Sequence, residues 1–386
     1  MYISRLILKN WRNFKSVDTE LCNRVFIVGP NASGKSNFLD AIRFLRDISR
    51  TGLQSAVEEH GGISKIRCLA ARKHSDIEIE FHLSEYGNIN PAWRYALSFA
   101  QIGGGIFETR AKIKFEKVWD ENGQLLLNRP DKNTDLKDEK LLEFTHLEQA
   151  TSNAKFRDVA EFLADIQYLH VVPQLIKDSK SFLRADKKDD YYGRDLIERI
   201  NRVNEKTRHS YLRKIENALK SAVPQLKNLA LIKDKMGIPH LQALYEHWRA
   251  KGARQWEDQF SDGTLRLIGF LWSLMDGTKP ILLEEPEISL HTSIIAHLPE
   301  IIARLQKKKS GIRQIFISTH SAELLSNKGI GAEEVLLLNP SIKGTEVRRA
   351  DTLSDVEALL KSDMSIGEAV IPKTAPKNIH QLTLQF

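Results

Sequence analysis

The sequence predicts an α/β fold: a parallel-sheet core joined to a mixed β lobe, with a helical insertion. Three observations carry this reading. The apolar run at residues 25–28 stops at Gly29, and after Lys35 a helical stripe opens with Phe38, Ile42 and Leu45. Residues 281–283, 294–305, 314–317 and 322–325 then alternate between strand-like and helix-like patterns, as parallel strands with helices on their faces do. Between these parts, residues 76–129 shift to a period of two, with Ile77, Ile79 and Phe81 alternating with charged side chains.

Taken in order, residues 3–8, 17–21 and 24–28 read as strands, the last apolar over 25–28 as a fully buried strand is. The β pattern continues through 95–100 and 109–115. Asn122-Gly123 marks a turn, and the polar stretch 128–139 reads as a loop. Residues 140–222 read as mainly helical, apart from 168–174, which read as a strand running into a loop: Leu196, Ile200 and Val203 form one stripe, while Arg199, Arg202, Lys206, Arg208, Arg213 and Lys214 supply positive charge. Residues 263–275 read as a buried, mostly apolar helix.

The 386 residues, 41% hydrophobic and 28% charged, suffice for one large domain or two interleaved lobes. A net charge of +7 makes nucleic acid a partner to consider without establishing one. Cys22 and Cys68 stand far apart in no metal-ligand spacing, which argues against a disulfide framework or zinc site and for a reducing compartment. No apolar run approaches the roughly 20 residues that span a bilayer. The first residues lack a signal-peptide pattern. The expectation is a cytoplasmic protein with no membrane contact.

Chemistry concentrates in two places. Gly29-Pro30-Asn31-Ala32-Ser33-Gly34-Lys35-Ser36 matches G-x-x-x-x-G-K-S between a predicted strand and a predicted helix. Its glycines let backbone amides wrap phosphates, the helix adds its positive end, Lys35 reaches toward the β- and γ-phosphates, and the Ser36 hydroxyl suits Mg²⁺. The second place is an apolar strand ending in Glu284 and Glu285. Hydrolysis of a nucleotide needs a carboxylate near the metal and a group to orient water. Adjacent strand residues point to opposite faces, so two carboxylates reach one site only where the chain leaves the sheet.

With Ser261-Asp262-Gly263-Thr264 and Ser318-Thr319-His320-Ser321 added, the motifs follow one another in the order of an ABC-type ATPase head. The sequence resembles the RecF, SMC and OLD-like group rather than membrane transporters, and Leu8-Lys9-Asn10-Trp11-Arg12-Asn13-Phe14-Lys15 looks like the opening of RecF and SMC heads. The resemblance implies ATP and Mg²⁺ as cofactors. It places Gly29, Asn31, Ala32, Ser33, Gly34, Lys35, Ser36 and Asn37, with Arg12 and Asn13, on the nucleotide. It gives Ser36, Glu284 and Gln174 to the metal, and the catalytic roles to Glu285 and to His320 as the switch histidine. Ser261 and Gly263 would meet the γ-phosphate of ATP held by a second subunit, so a homodimer is implied. Ser289 and His291 fall in the loop that crosses that interface. His170, His240 and His297 have no such placement and are expected to be structural. The chain then divides into two halves of the head, residues 1–135 and 226–350, around a mainly helical insertion at 136–225, with a tail at 351–386.

The tail is too short for an added nuclease domain, and its Asp351, Asp355, Asp363 and Glu368 are scattered. The expectation is therefore an OLD-like ATPase acting as sensor for a separately encoded effector, a nuclease being one candidate, in bacterial anti-phage defence. A RecF-like DNA clamp is the alternative, its basic patch drawn from Arg199, Arg202, Arg213, Lys214, Lys307, Lys308 and Lys309. A third reading is a nucleotide-gated scaffold with little hydrolysis.

Overall fold

Alternation along a single strand decides the layering. A computed structural model describes residues 1–70, 76–88, 90–102, 110–178, 192–246, 252–308 and 313–374. The first sheet is antiparallel and uses β1 (Tyr2–Trp11), β2 (Phe14–Glu20), β4 (Ile77–Ser84), β5 (Trp93–Ile102), β6 (Arg110–Trp119) and β7 (Leu125–Arg129), in the order β2-β1-β4-β5-β6-β7. Thr109, expected at the start of a strand, lies outside the described residues. Between β2 and β4 the chain leaves for β3 (Arg24–Val28), α1 (Lys35–Thr51), α2 (Leu53–Glu59) and α3 (Ile63–Ile66). In β3, Val25 and Ile27 face the core shared with the first sheet and α1, whereas Phe26 and Val28 face a second core on the other side.

Beyond β7 come α4 (Arg157–Ala164), β8 (Gln167–Leu169), α5 (Pro173–Lys177), α6 (Leu196–Arg202) and α7 (Glu205–Leu219). They are followed by β9 (Leu226–Lys233), β10 (Pro239–Tyr245), β11 (Ala253–Trp256) and α8 (Asp262–Met275). The chain continues through β12 (Ile281–Glu284), α9 (Thr292–Lys308), β13 (Ile315–Thr319), α10 (Ala322–Leu325), β14 (Val335–Ser341), β15 (Gly344–Arg349), α11 (Ser354–Lys361) and α12 (Ile366–Thr374). The central sheet runs β15-β14-β3-β13-β12-β8, parallel from β14 to β8, with β15 antiparallel at the edge. Helix α8, buried along most of its length, packs in the second core with Ile295, Leu298 and Ile302 of α9.

The strand read at the start of residues 168–174 is β8, which pairs with β12. Two features differ from the sequence reading in detail. Residues 226–256 form a separate antiparallel sheet, β11-β10-β9, whose alternation is broken by Asn228 at φ 54° and a register shift after Gln242. Residues beyond 350 form α11 and α12, which bury Val356, Ile366, Ala369 and Val370 in the second core.

Helix α1 carries charge on its buried side. His60, its side chain fully buried, sets Nδ1 3.1 Å from Asp40 Oδ2 and Nε2 2.9 Å from Asp47 Oδ2. Arg12 Nε donates to Asp40 at 2.6 Å, Arg43 lies 3.5 Å from Asp40 and 3.4 Å from Asp47, and Arg46 donates to Asp47 at 2.6 Å. Burial alone would raise both carboxyls and lower the imidazole. The hydrogen bonds reverse this: Asp40 and Asp47 fall below 3.8 and His60 rises above 6.5. The His60 contribution to stability is thus complete below its ordinary value and lost as pH climbs through the raised one. That of the aspartates is present above 3.8 and lost on acidification through their lowered values.

The β14–β15 hairpin holds the β3–α1 loop from the far end of the chain. Thr345, buried, donates its hydroxyl to the Ser33 carbonyl at 2.9 Å and accepts from Asn13 Nδ2 at 2.7 Å, while its amide donates to the Asn13 carbonyl at 2.8 Å.

Two predictions follow from these contacts. Urea denaturation of the whole chain should show stability falling as pH rises above 6.5, and His60→Gln should flatten that slope; equal slopes would remove His60 from the network. Thr345→Val leaves the Ser33 carbonyl and Asn13 amide short of a partner and should cost about 1–3 kcal/mol in the same measurement.

Candidate active site

Parallel register brings the chemical residues to one edge. Thr319 pairs with Val28, Glu284 with Ser318, and Leu283 with Leu169, so the carboxyl ends of β3, β13, β12 and β8 stand side by side. Ligand sites of open α/β sheets lie at such edges.

The β3–α1 loop is shaped as a cradle. Ala32 adopts φ 61° and Gly34 φ 100°; a Cβ on Gly34 would stand 2.1 Å from Asn13 Nδ2, so only glycine fits there. Asn13 donates to the Ser33 carbonyl at 2.8 Å and accepts from Asn37 Nδ2 at 2.8 Å, and the Asn37 carbonyl accepts from Trp11 Nε1 at 2.8 Å. Asn31 and Ala32 are exposed at the crest. Gly34 is the N-cap of α1 and offers no side-chain cap, which leaves first-turn amides facing the loop. Lys35 is buried and donates Nζ to the carbonyls of Gly29 at 3.0 Å and Pro30 at 3.3 Å. Burial lowers its ammonium pKa, opposed by Glu285, Glu287 and Glu284.

Strand β12 delivers the acids. Leu282 faces α1 in the first core, and Glu284, two residues on, faces the same way. One of its carboxylate oxygens accepts from Ser36 Oγ and the other from Tyr168 OH. Burial and the neighbouring Glu284 push the Tyr168 phenol far up, so it stays protonated and donates. Glu285 leaves the sheet at φ 42°, its amide bonded to the Ser318 carbonyl at 3.0 Å, and its carboxylate lies 3.3 Å from His320 Nδ1. Both sequence-derived acids therefore serve one edge by different routes, one along the strand face and one through the turn.

Glu287 and Arg266 were not singled out by sequence. Glu287 is buried and accepts from Thr319 Oγ1, and burial raises its pKa. Arg266 of α8 is also buried, and its Nε and Nη1 have no hydrogen-bond partner; it lines a small cavity with Leu169, Val171, Phe270, Leu283, Glu284 and Pro286. Their ion-rich motif context was the available signal, but burial of single charges is invisible in a sequence.

The remaining expected residues fall elsewhere. Ser261 caps α8 by accepting from the Thr264 amide at 3.2 Å. A Cβ on Gly263 would stand 2.6 Å from the carbonyl of Ser289, itself at φ 65°, so this helix start is seated on the loop that follows β12. Gln174, expected at the metal, instead hydrogen-bonds Asp262 at 2.5 Å beside Lys177, also bonded to Asp262 at 2.7 Å. Arg12 is turned to Asp40 rather than to the loop. His170, expected to be structural, sets Nδ1 3.4 Å from the Glu284 carbonyl. His240 is buried against Glu257 at 2.7 Å. Of the basic patch, Arg199 pairs with Asp276 and Arg202 with Glu198, while Lys309 lies outside the described residues.

The donor set fits a magnesium nucleotide. Ser36 and Glu284 offer hard oxygens, and Ser33 Oγ is a buried polar atom without a partner inside the cradle. Among the described residues no three His, Cys, Asp or Glu side chains form a metal cluster, and Mg²⁺ is commonly held by one or two carboxylates together with substrate phosphates. No helix among the described residues is long and apolar enough to cross a membrane.

Comparison with known proteins agrees with this geometry. Residues 24–326 match a family described as "AAA domain, putative AbiEii toxin, Type IV TA system". Endonuclease GajA of Bacillus cereus is 22% identical over 344 residues, 84% of this chain and 56% of that protein. DNA replication and repair protein RecF of Lactobacillus gasseri is 38% identical over 97 residues, 24% of this chain and 25% of that protein. The chain thus spans only part of each curated relative. An SMC head bound to the C-terminal winged-helix domain of ScpA shares the fold at a TM-score of 0.54 and 15% identity, covering 90% of this chain and 98% of that one. The chain belongs to this AAA-domain family and is an ABC-type ATPase head of the RecF, SMC and OLD-like group.

Proposed function

We propose that the chain binds ATP with Mg²⁺, hydrolyses it in a site completed by a second copy of itself, and reports its nucleotide state to a separate effector. The observation that carries the reading is the meeting of Ser36 with Glu284, and of Glu285 with His320, on the strand edge that also ends in the phosphate cradle. Lys35 and the α1 amides neutralise phosphate charge. Ser36 and Glu284 would hold the metal, which supplies charge neutralisation between the phosphates. Glu285, turned out of the sheet beside His320, accepts the proton of the attacking water or orients it.

The dimer is supported by where the signature segment lies. Ser261 bonds Thr264 and Gly263 lies on Ser289; neither contact is with the phosphate cradle of the same chain. The start of α8, seated on the loop that follows β12, thus lies apart from its own chain's cradle, which accords with a role at the γ-phosphate of a second copy. A role in bacterial anti-phage defence, through an effector of nuclease type, rests on the OLD-like resemblance, the alignment with an endonuclease along 84% of the chain, and the toxin named in the family description. A cytoplasmic location accords with that role.

Glu285→Gln should lower ATP turnover by roughly 100-fold or more while leaving ATP binding intact. In sedimentation velocity the variant should form an ATP-dependent dimer at least as readily as the parent chain. Undiminished turnover, or a chain that stays monomeric with ATP, would reject the composite site.

A further inference from the structure

We infer that Tyr168 is a positioning residue for the metal-side carboxylate, holding Glu284 so that one oxygen is presented beside Ser36. This rests on the magnesium-nucleotide reading above. The register makes the arrangement: Tyr168 of β8 pairs with Leu282 of β12, and both face α1. Glu284 lies one strand repeat beyond Leu282 on that face, which brings its carboxylate over the phenol. The carboxylate is then divided between two donors, with Oε1 taking the Ser36 hydroxyl and Oε2 the Tyr168 hydroxyl.

A glutamate side chain has three rotatable bonds, and a single contact at Ser36 leaves the carboxylate free to swing. The second donor removes that freedom and orients the ligating oxygen, as partners outside a metal's own ligands do. Tyr168 is itself fixed. Its ring packs on the first core and lies under the Arg43 guanidinium, 5.4 Å from the ring centre. Arg43 in turn stands in the Asp40–Asp47–His60 cluster. A continuous chain of contacts thus runs from Arg12 through Asp40, Arg43 and Tyr168 to Glu284, and the buried face of α1 bears on the metal side of the site.

The test uses the whole chain and fluorescently labelled ADP, titrated in EDTA and across a Mg²⁺ series. Tyr168→Phe keeps the ring and removes only the donor. It should leave metal-free ADP affinity within about twofold, yet raise the Mg²⁺ concentration at half-effect by roughly 10- to 100-fold. Tyr168→Met, with its apolar stem, should give the same separation. In a Glu284→Ala background, Tyr168→Phe should add nothing. An unchanged Mg²⁺ requirement, or equal loss of affinity with and without Mg²⁺, overturns the positioning role. A parent chain whose ADP affinity ignores Mg²⁺ overturns the magnesium-nucleotide reading itself, and this role with it.

Discussion

The in-line ending of four parallel strands governs the molecule's chemistry. β3, β13 and β12 are apolar through their middles because both faces are covered, one by α1 and the antiparallel sheet and the other by the second core, so polar groups gather where the strands end. That edge receives the phosphate cradle from β3, Thr319 and His320 from β13, Glu284 and Glu285 from β12, and Tyr168 from β8. Each strand contributes a different function, and a slip of one residue in any pairing would turn its side chain to the wrong face. The register is held by two separate cores, one on either side, which is why the site can be built from segments up to 312 residues apart.

Placing charge at such an edge is costly, and the structure shows how the cost is met. Lys35 is desolvated but leans on carbonyls and three glutamates. Asp40, Asp47 and His60 are buried as well and are matched by three arginines. Removing one member of such a cluster strands the others, whereas the complete set is tolerated. A second cluster, Arg129 between Glu116 and Asp135, fastens the far edge of the antiparallel sheet by the same logic. Arg266 and Glu287 are the contrast: each is buried beside the site with unpartnered polar atoms, and neither is neutralised in the way the α1 cluster is.

Much of this was legible in the residues. The 25–28 run, its glycine break and the helical stripe specify β3, the cradle and α1, because a buried strand and an amphipathic helix leave strong periodic marks. The acids at the end of β12 were equally plain. Less visible were the contacts that depend on pairing across the chain. The role of Tyr168 shows only when β8 is laid beside β12, and that of Thr345 only when it meets Ser33. Gln174 was assigned to the metal by the resemblance of residues 168–174 to a RecF segment; its amide here goes to Asp262. Arg12 was assigned to the nucleotide, yet Asp40, hidden in the polar gaps of the α1 stripe, takes it. The β9–β11 sheet escaped because a bulged, half-exposed strand loses its period of two.

The account stands or falls on the cradle at the end of β3 being a nucleotide site. Isothermal titration calorimetry of ATP with Mg²⁺ into the whole chain and into Lys35→Ala measures this directly. The geometry predicts saturable binding by the parent chain and its loss, by at least roughly 10-fold in affinity, when a charge-assisted contact worth about 1.5–3 kcal/mol is removed. No binding by the parent chain, or equal binding by both, would contradict it.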